Sequence, residues 1–379
     1  MNNKSLLVCL IGIVVLFYSC NLSKGKDKLQ ESSNTINVDY KNALEILNID
    51  DMIDSVSYIP LERTSPYVGN LKKTLFHNDT IIIWDGKGKA IWTFNSRGKL
   101  IARIAKLGKG PGEYLGINDV SVDSNGVINI VNSMGTILKY NIDGTFINQH
   151  KYMNNIGNYI DNESYQYLYF YSFSKYNKSS CYLSVFKGNN QVNGFFNATH
   201  PWFYDNGNRI LSSVSDKIYY FKNFDHHIYE LSGKELIPIY SIIFGDNDFV
   251  QLNNKIQGAE SHEAFNEILQ SSFYVGKIDY LTISERHIIF CFYVGKGYSN
   301  YGLGCIYNRQ TQKTICYKSL KSEEYNITPW ITAITDGNYH YVIQETYNMD
   351  KALQSKISEE FQMNFNEESN PILIKFKYK

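Results

Sequence analysis

Ile81-Ile82-Ile83-Trp84, Gly86-Lys87-Gly88, Ala90-Ile91-Trp92-Thr93-Phe94, Asn95-Ser96-Arg97-Gly98 and Leu100-Ile101-Ala102-Arg103-Ile104 form a run of apolar segments cut by turn residues. The pattern returns as Val127-Ile128-Asn129-Ile130-Val131, Ile137-Leu138-Lys139-Tyr140, Asn141-Ile142-Asp143-Gly144 and Thr145-Phe146-Ile147. Short apolar segments bounded by Gly, Asn and Asp are strands joined by tight turns. Aligning Phe94 with Tyr140 also aligns Gly98 with Gly144, a period of 46 from position 98 to 144. That period lies within the roughly 40 to 50 residues of one propeller blade.

Working outward, later segments keep the same phase. Tyr165–Ser172 and Cys181–Phe186 read as a third unit with a long aromatic hairpin. Arg209–Ser212, Lys217–Phe221, His227–Leu231 and Leu236–Tyr240 read as a fourth, and its turn glycine Gly233 stands 89 residues beyond Gly144, close to two periods. Ile278–Tyr317 and Ile331–Phe376 supply a fifth and a sixth. Two strands remain, Ser55–Leu61 at the head and Ile372–Tyr378 at the tail. A closed ring needs such a pair, and Pro60 suits a strand with one free edge. Helical spacing predicts short inserted helices at His262–Gln270 and Asp350–Phe361, with apolar faces packed on the body, and another over Tyr40–Ile49. The expected fold is all-β, a propeller closed by its N- and C-terminal strands.

Composition agrees: 31 Tyr and 21 Phe against 7 Pro favour pleated, half-buried surfaces. Lys plus Arg equals Asp plus Glu at 37 each, so no overall field draws nucleic acid. The first residues are a separate object. Lys4 precedes an apolar run from Leu6 to Tyr18 that is short for a membrane span and ends at Ser19-Cys20. Residues 1–19 are expected to be an export signal, 20–39 a flexible tether and 40–379 one propeller domain. Leu16-Phe17-Tyr18-Ser19-Cys20 resembles the bacterial lipoprotein box, which implies cleavage before Cys20 and lipid on its sulfur. An ordinary secretory signal or an uncleaved anchor is the other reading.

A wider resemblance rests on Tyr58-Ile59-Pro60-Leu61-Glu62, the turn Asn95-Ser96-Arg97-Gly98, the loop Gly108-Lys109-Gly110-Pro111-Gly112-Glu113-Tyr114 and Tyr140-Asn141-Ile142-Asp143-Gly144. These are similar to six-bladed, NHL-like propeller lipoproteins of unknown function. The resemblance is specific over 55–150; it implies six blades and an envelope location, and no activity. Asn21 after the cysteine, with Lys24, Lys26 and Lys28 following, points to the outer membrane on its periplasmic side.

Signatures of chemistry are missing: no H-E-x-x-H, G-x-S-x-G, Walker loop or EF-hand spacing occurs. The glycine loop at 108–114 lacks a following helix, so it reads as a blade connection rather than a phosphate cradle. No cofactor is expected. His226-His227 is the only histidine pair; neighbours on a strand face opposite ways, which argues against a shared metal unless a loop holds them. His200, Trp202, Tyr204 and Trp330 are the candidate ligand-binding residues, because rings in loops offer flat surfaces to sugars or peptides; sealing blades together is their other use. Cys305 and Cys316 flank a hairpin centred between Gln310 and Thr311. That register sets them opposite each other, within disulfide range, with two free buried thiols as the alternative. Two functions follow: a binding or scaffold lipoprotein for an envelope protein or glycan, or a metal-dependent hydrolase or lyase at the channel mouth.

Overall fold

The computed structural model describes residues 34–379 apart from 153–154, 171–180, 198–210, 215–216, 223–224, 246–254, 257, 297–298, 326, 331–333, 347–348 and 367. The chain enters through three strands, β1 (Thr35–Asn37), β2 (Leu44–Asn48) and β3 (Ile53–Pro60). It then makes the first blade from β4 (Leu71–His77), β5 (Thr80–Asp85), β6 (Ala90–Asn95) and β7 (Leu100–Ile104). The second is β8 (Ile117–Val122), β9 (Ile128–Asn132), β10 (Thr136–Tyr140) and β11 (Phe146–Lys151). The third is β12 (Ile156–Asp161), β13 (Gln166–Phe170), β14 (Cys181–Lys187) and β15 (Asn190–Asn197). The fourth is β16 (Leu211–Val214), β17 (Lys217–Phe221), β18 (His227–Ser232) and β19 (Glu235–Ile243). Helix α1 (His262–Ser271) leads into the fifth, β20 (Phe273–Ile283), β21 (His287–Lys296), β22 (Ser299–Asn308) and β23 (Lys313–Ser322), with β24 (Ile327–Trp330) added at its edge. The sixth holds β25 (Ile334–Thr335), β26 (His340–Gln344) and, after helix α2 (Lys351–Phe361), β27 (Ile372–Tyr378).

The sixth blade is completed by the head of the chain. β27 pairs antiparallel with β3, setting Ile372 opposite Pro60, Ile374 opposite Tyr58 and Phe376 opposite Val56. The expected closing strands therefore close the ring. Among the described residues β3 pairs with β27 alone, which leaves the free edge that Pro60 requires. Inner strands of successive blades touch, β4 to β8, β8 to β12, β12 to β16, β16 to β20 and β20 to β25. Phe76 of the first blade stacks on Tyr341 of the sixth at 4.1 Å between ring centroids. The fold is an all-β six-bladed propeller.

Turn chemistry explains the repeat. Gly98, Gly144 and Gly233 all occupy the third-to-fourth-strand turn of their blades at positive φ, +76°, +82° and +59°. Gly188 fills the position the sequence reading passed over: φ is +62°, 44 residues after 144 and 45 before 233. At Gly98 a side chain is excluded twice, because an added Cβ would stand 2.1 Å from the Pro60 carbonyl oxygen.

The glycine loop between β7 and β8 is structural. Its Gly110 amide donates to Glu113 Oε2 at 2.8 Å, and Gly112 N donates to Gln149 Oε1 at 3.0 Å. Tyr114 Oη donates to the Lys89 and Ile104 carbonyls, and Tyr140 Oη to the Gly112 carbonyl. The amides a phosphate would need are spent on the loop's own side chains and its neighbour.

Two expectations change. Tyr40–Ile49 is not an α-helix: a single 3-10 turn at Tyr40–Asn42 gives way to β2, parallel to β23. Three apolar residues in that stretch satisfied a helical stripe, but the open edge of the fifth blade offers backbone partners the isolated segment lacks. Thr35–Asn37, assigned to the tether, likewise adds as β1 to β19. The entering chain thus covers the outer edges of blades four, five and six in turn. Both inserted helices form as expected. Leu353 and Ile357 of α2 are buried in the cluster with Ile289, Ile306, Tyr317 and Ile374, whereas Phe361, read as part of the same stripe, stays 37% exposed.

Candidate functional site

The inner strands enclose an axial cavity of about 740 Å³. All six blades contribute to its wall, including Lys73–Asn78, Ser121–Ser124, Ile160–Glu163, Leu211–Val214, Leu281–Thr282 and Ile334–Asp336. The cavity reaches the end of the ring where each first strand turns into its second, marked by Asn78, Ser124, Glu163 and Asp336. These are polar strands by composition, Leu71-Lys72-Lys73-Thr74, Ile117-Asn118-Asp119 and Leu211-Ser212-Ser213-Val214. Strands pressed between neighbouring sheets must be apolar; those facing the axis are released from that demand.

Charges on the wall are tied between blades. Lys73 Nζ on β4 bonds Asp119 Oδ1 on β8 at 2.7 Å, and Asp119 Oδ2 accepts from Tyr159 N on β12 at 3.3 Å, joining three blades. Lys139 Nζ bonds Asp161 Oδ2 at 2.6 Å, and that carboxylate also accepts from Tyr159 Oη, Gln166 Nε2 and Glu163 N. Burial raises the Asp123 carboxyl above the usual range; amides of Val127 and Asn125 pull it down and the Asp161 charge pushes it up. Asp336 accepts from Tyr341 Oη at 2.6 Å.

Two wall hydroxyls are left over. Thr74 Oγ1 and Ser121 Oγ are buried, at 5% and 3% residue exposure, with no hydrogen-bond partner among the described residues. A buried hydroxyl without a partner costs about 1–3 kcal/mol, and both oxygens are closed off from the cavity by their neighbours; the hydroxyl and amide side chains open to the cavity are those of Asn78, Ser124, Asn162, Ser212 and Ser213.

The sequence-derived candidates fall elsewhere. Cys20, His200, Trp202 and Tyr204 lie outside the described residues. Trp330 is described in its backbone, opposite Leu320 at the edge of blade five. Cys305 does sit opposite Cys316, with Asn308 opposite Lys313, so the hairpin register holds. Both are buried free thiols here. Burial, then the adjacent Cys316 sulfur, holds the Cys305 thiol well above its usual range. The argument against the histidine pair does not hold. His226 precedes β18 rather than lying on it, and its ring is 4.2 Å from that of His227. The residues of the cavity wall were missed; their signal was an unassigned polar stretch before each of the first two three-strand units, while Arg209–Ser212 was read as a strand but not as wall.

No curated protein matches the chain. Among solved structures, a "Putative exported protein" from Bacteroides fragilis NCTC 9343 is similar with a TM-score of 0.71 at 20% identity, covering 91% of this chain and 100% of that one. A DUF4221 family member from Bacteroides vulgatus ATCC 8482 has a TM-score of 0.49 at 9% identity, covering 86% and 97%. A model described as a domain of unknown function, DUF4934, matches residues 33–377, and the chain belongs to that family of six-bladed propellers.

Proposed function

We propose that the protein is an exported binding protein of the bacterial cell envelope, lipid-anchored through Cys20 on the periplasmic side of the outer membrane, that takes the end of a neutral glycan into its axial cavity. The observation that carries this reading is the polar cavity wall built by all six blades, with Asn78, Ser124, Asn162, Ser212 and Ser213 open to it. Its volume is that of a small-molecule site. Lys73 and Asp161 are ion-paired within the protein, while Asp123, Glu163 and Asp336 leave negative charge on the wall, so an anionic ligand is disfavoured and a neutral one rich in hydroxyls matches it. The name of the Bacteroides fragilis neighbour and the resemblance of residues 16–20 to a lipoprotein box support export. The alternative, a metal-dependent hydrolase or lyase at the channel mouth, needs carboxylates and imidazoles gathered there. Among the described residues the one such group of three is Asp225, His226 and His227, which does not line the cavity.

Calorimetric titration of the full chain with neutral envelope oligosaccharides tests the reading. Saturable binding is expected, weakened roughly tenfold or more by Ser212→Ala with Ser213→Ala. Binding indifferent to both substitutions, or none by any neutral glycan, would overturn it.

A further inference from the structure

At the end of blade four remote from Val214, the chain leaves β17, turns at Lys222 and presents Asp225, His226 and His227 in succession as β18 begins. All three are half-buried, and one ligand atom from each lies within 4.8 Å of the others. That clustering sets two imidazoles side by side where one ion could join them, with the carboxylate against His227.

The local hydrogen bonds prepare one of these ligands. Asp225 Oδ1 accepts from the His227 main-chain amide at 2.9 Å and lies 2.8 Å from His227 Nδ1, while Oδ2 accepts from Tyr229 Oη at 2.9 Å. A carboxylate behind Nδ1 puts the proton there and leaves the Nε2 lone pair available, the arrangement that orients histidines on metals. The His226 ring is 4.2 Å from that of His227, with 36° between planes. Two imidazoles on a tetrahedral ion would have centroids about 5 Å apart, given metal–nitrogen bonds of about 2.0–2.1 Å, so the rings need to open by only about 1 Å. The backbone holds this geometry, since Ile242 N donates to the His226 carbonyl at 2.6 Å.

We propose that His226 and His227 bind a divalent transition metal of the zinc class through ring nitrogens, with Asp225 behind His227 as the carboxylate that orients its ring and solvent in the remaining positions. Imidazole selects such metals over calcium or magnesium, which want shells of oxygen. The site is independent of the glycan reading, which rests on other residues at the ring axis.

The test uses the full chain, stripped with chelator and titrated with Zn²⁺ against a chromophoric competitor, with Co²⁺ absorption as a second readout. One ion per chain is expected, with Co²⁺ bands showing nitrogen ligation. His226→Ala and His227→Ala should each weaken binding about 100-fold or more, and Asp225→Asn by about 10–100-fold. His262→Ala, on the exposed first turn of α1, should change nothing. Should His227→Ala fail to fold, His226→Gln carries the test through loss of the Co²⁺ bands. No uptake by the wild-type chain, or uptake that survives in His226→Ala/His227→Ala, would overturn the proposal.

Discussion

Acid should weaken this propeller through one buried imidazole. His340 opens β26 at 2% exposure, its ring 5.8 Å from Phe376 and 4.8 Å from Tyr378, with no partner for Nδ1 among the described residues. Burial, with the nearby His287 adding to it against the opposing pull of Asp336, drives its pKa from 6.5 down to about 3. The unfolded chain therefore takes up a proton below about pH 6.5 that the native chain refuses, and stability falls as pH falls from there towards 3. At pH 5 the linkage, RT ln[(1 + 10^1.5)/(1 + 10^−2)], is about 2 kcal/mol; it reaches roughly 5 kcal/mol once the native group titrates. Replacing His340 by Leu removes this contribution and strands no partner, so its cost near pH 7.5 should be small. Urea unfolding of both proteins at about pH 7.5 and about pH 5 reads the effect. The wild type should lose about 2 kcal/mol more than His340→Leu over that interval; equal losses would refute the reasoning.

Other substitutions probe the ring. Lys73→Met leaves Asp119 buried without its cation and should cost about 3–5 kcal/mol in chemical denaturation, most of it recovered in Lys73→Met/Asp119→Leu; a single variant near wild-type stability would dismiss the inter-blade tie. Gly98→Ala combines a left-handed backbone with a blow to Pro60 at the closing strand and should lower stability by about 2 kcal/mol or more, whereas Gly188→Ala, with open space around it, should cost less. For Cys305 and Cys316, both buried and with the Cys305 thiol held un-ionised by burial, intact mass should be the same with and without reductant; a gain of a pair of hydrogens on reduction would reveal the disulfide the register permits.

Legibility followed burial. Ile81–Trp84, Ala90–Phe94 and Val127–Val131 are sheathed on both faces by other sheets, so their apolar runs and the glycines between them announced the blades, the period and the closing strands from sequence alone. Edge strands were harder: Leu44–Asn48 has no preference strong enough to outvote a chance helical stripe, and only the exposed β23 backbone makes it a strand. The same holds at the histidine pair, where the starting point of β18 decided that neighbouring rings meet rather than diverge.

The candidate site was least legible, for a related reason. Thr74, Ser121 and Asp161 stand on inner strands, and Asp336 at the turn after one, whose partners across the axis are far away in sequence and whose polar composition reads as loop until six blades enclose them. Local pattern determined the modules and how the ring is sealed, because it records which surfaces lose water within a module. Tertiary structure decided the cavity, since a polar wall becomes a site only when the closed ring brings it together.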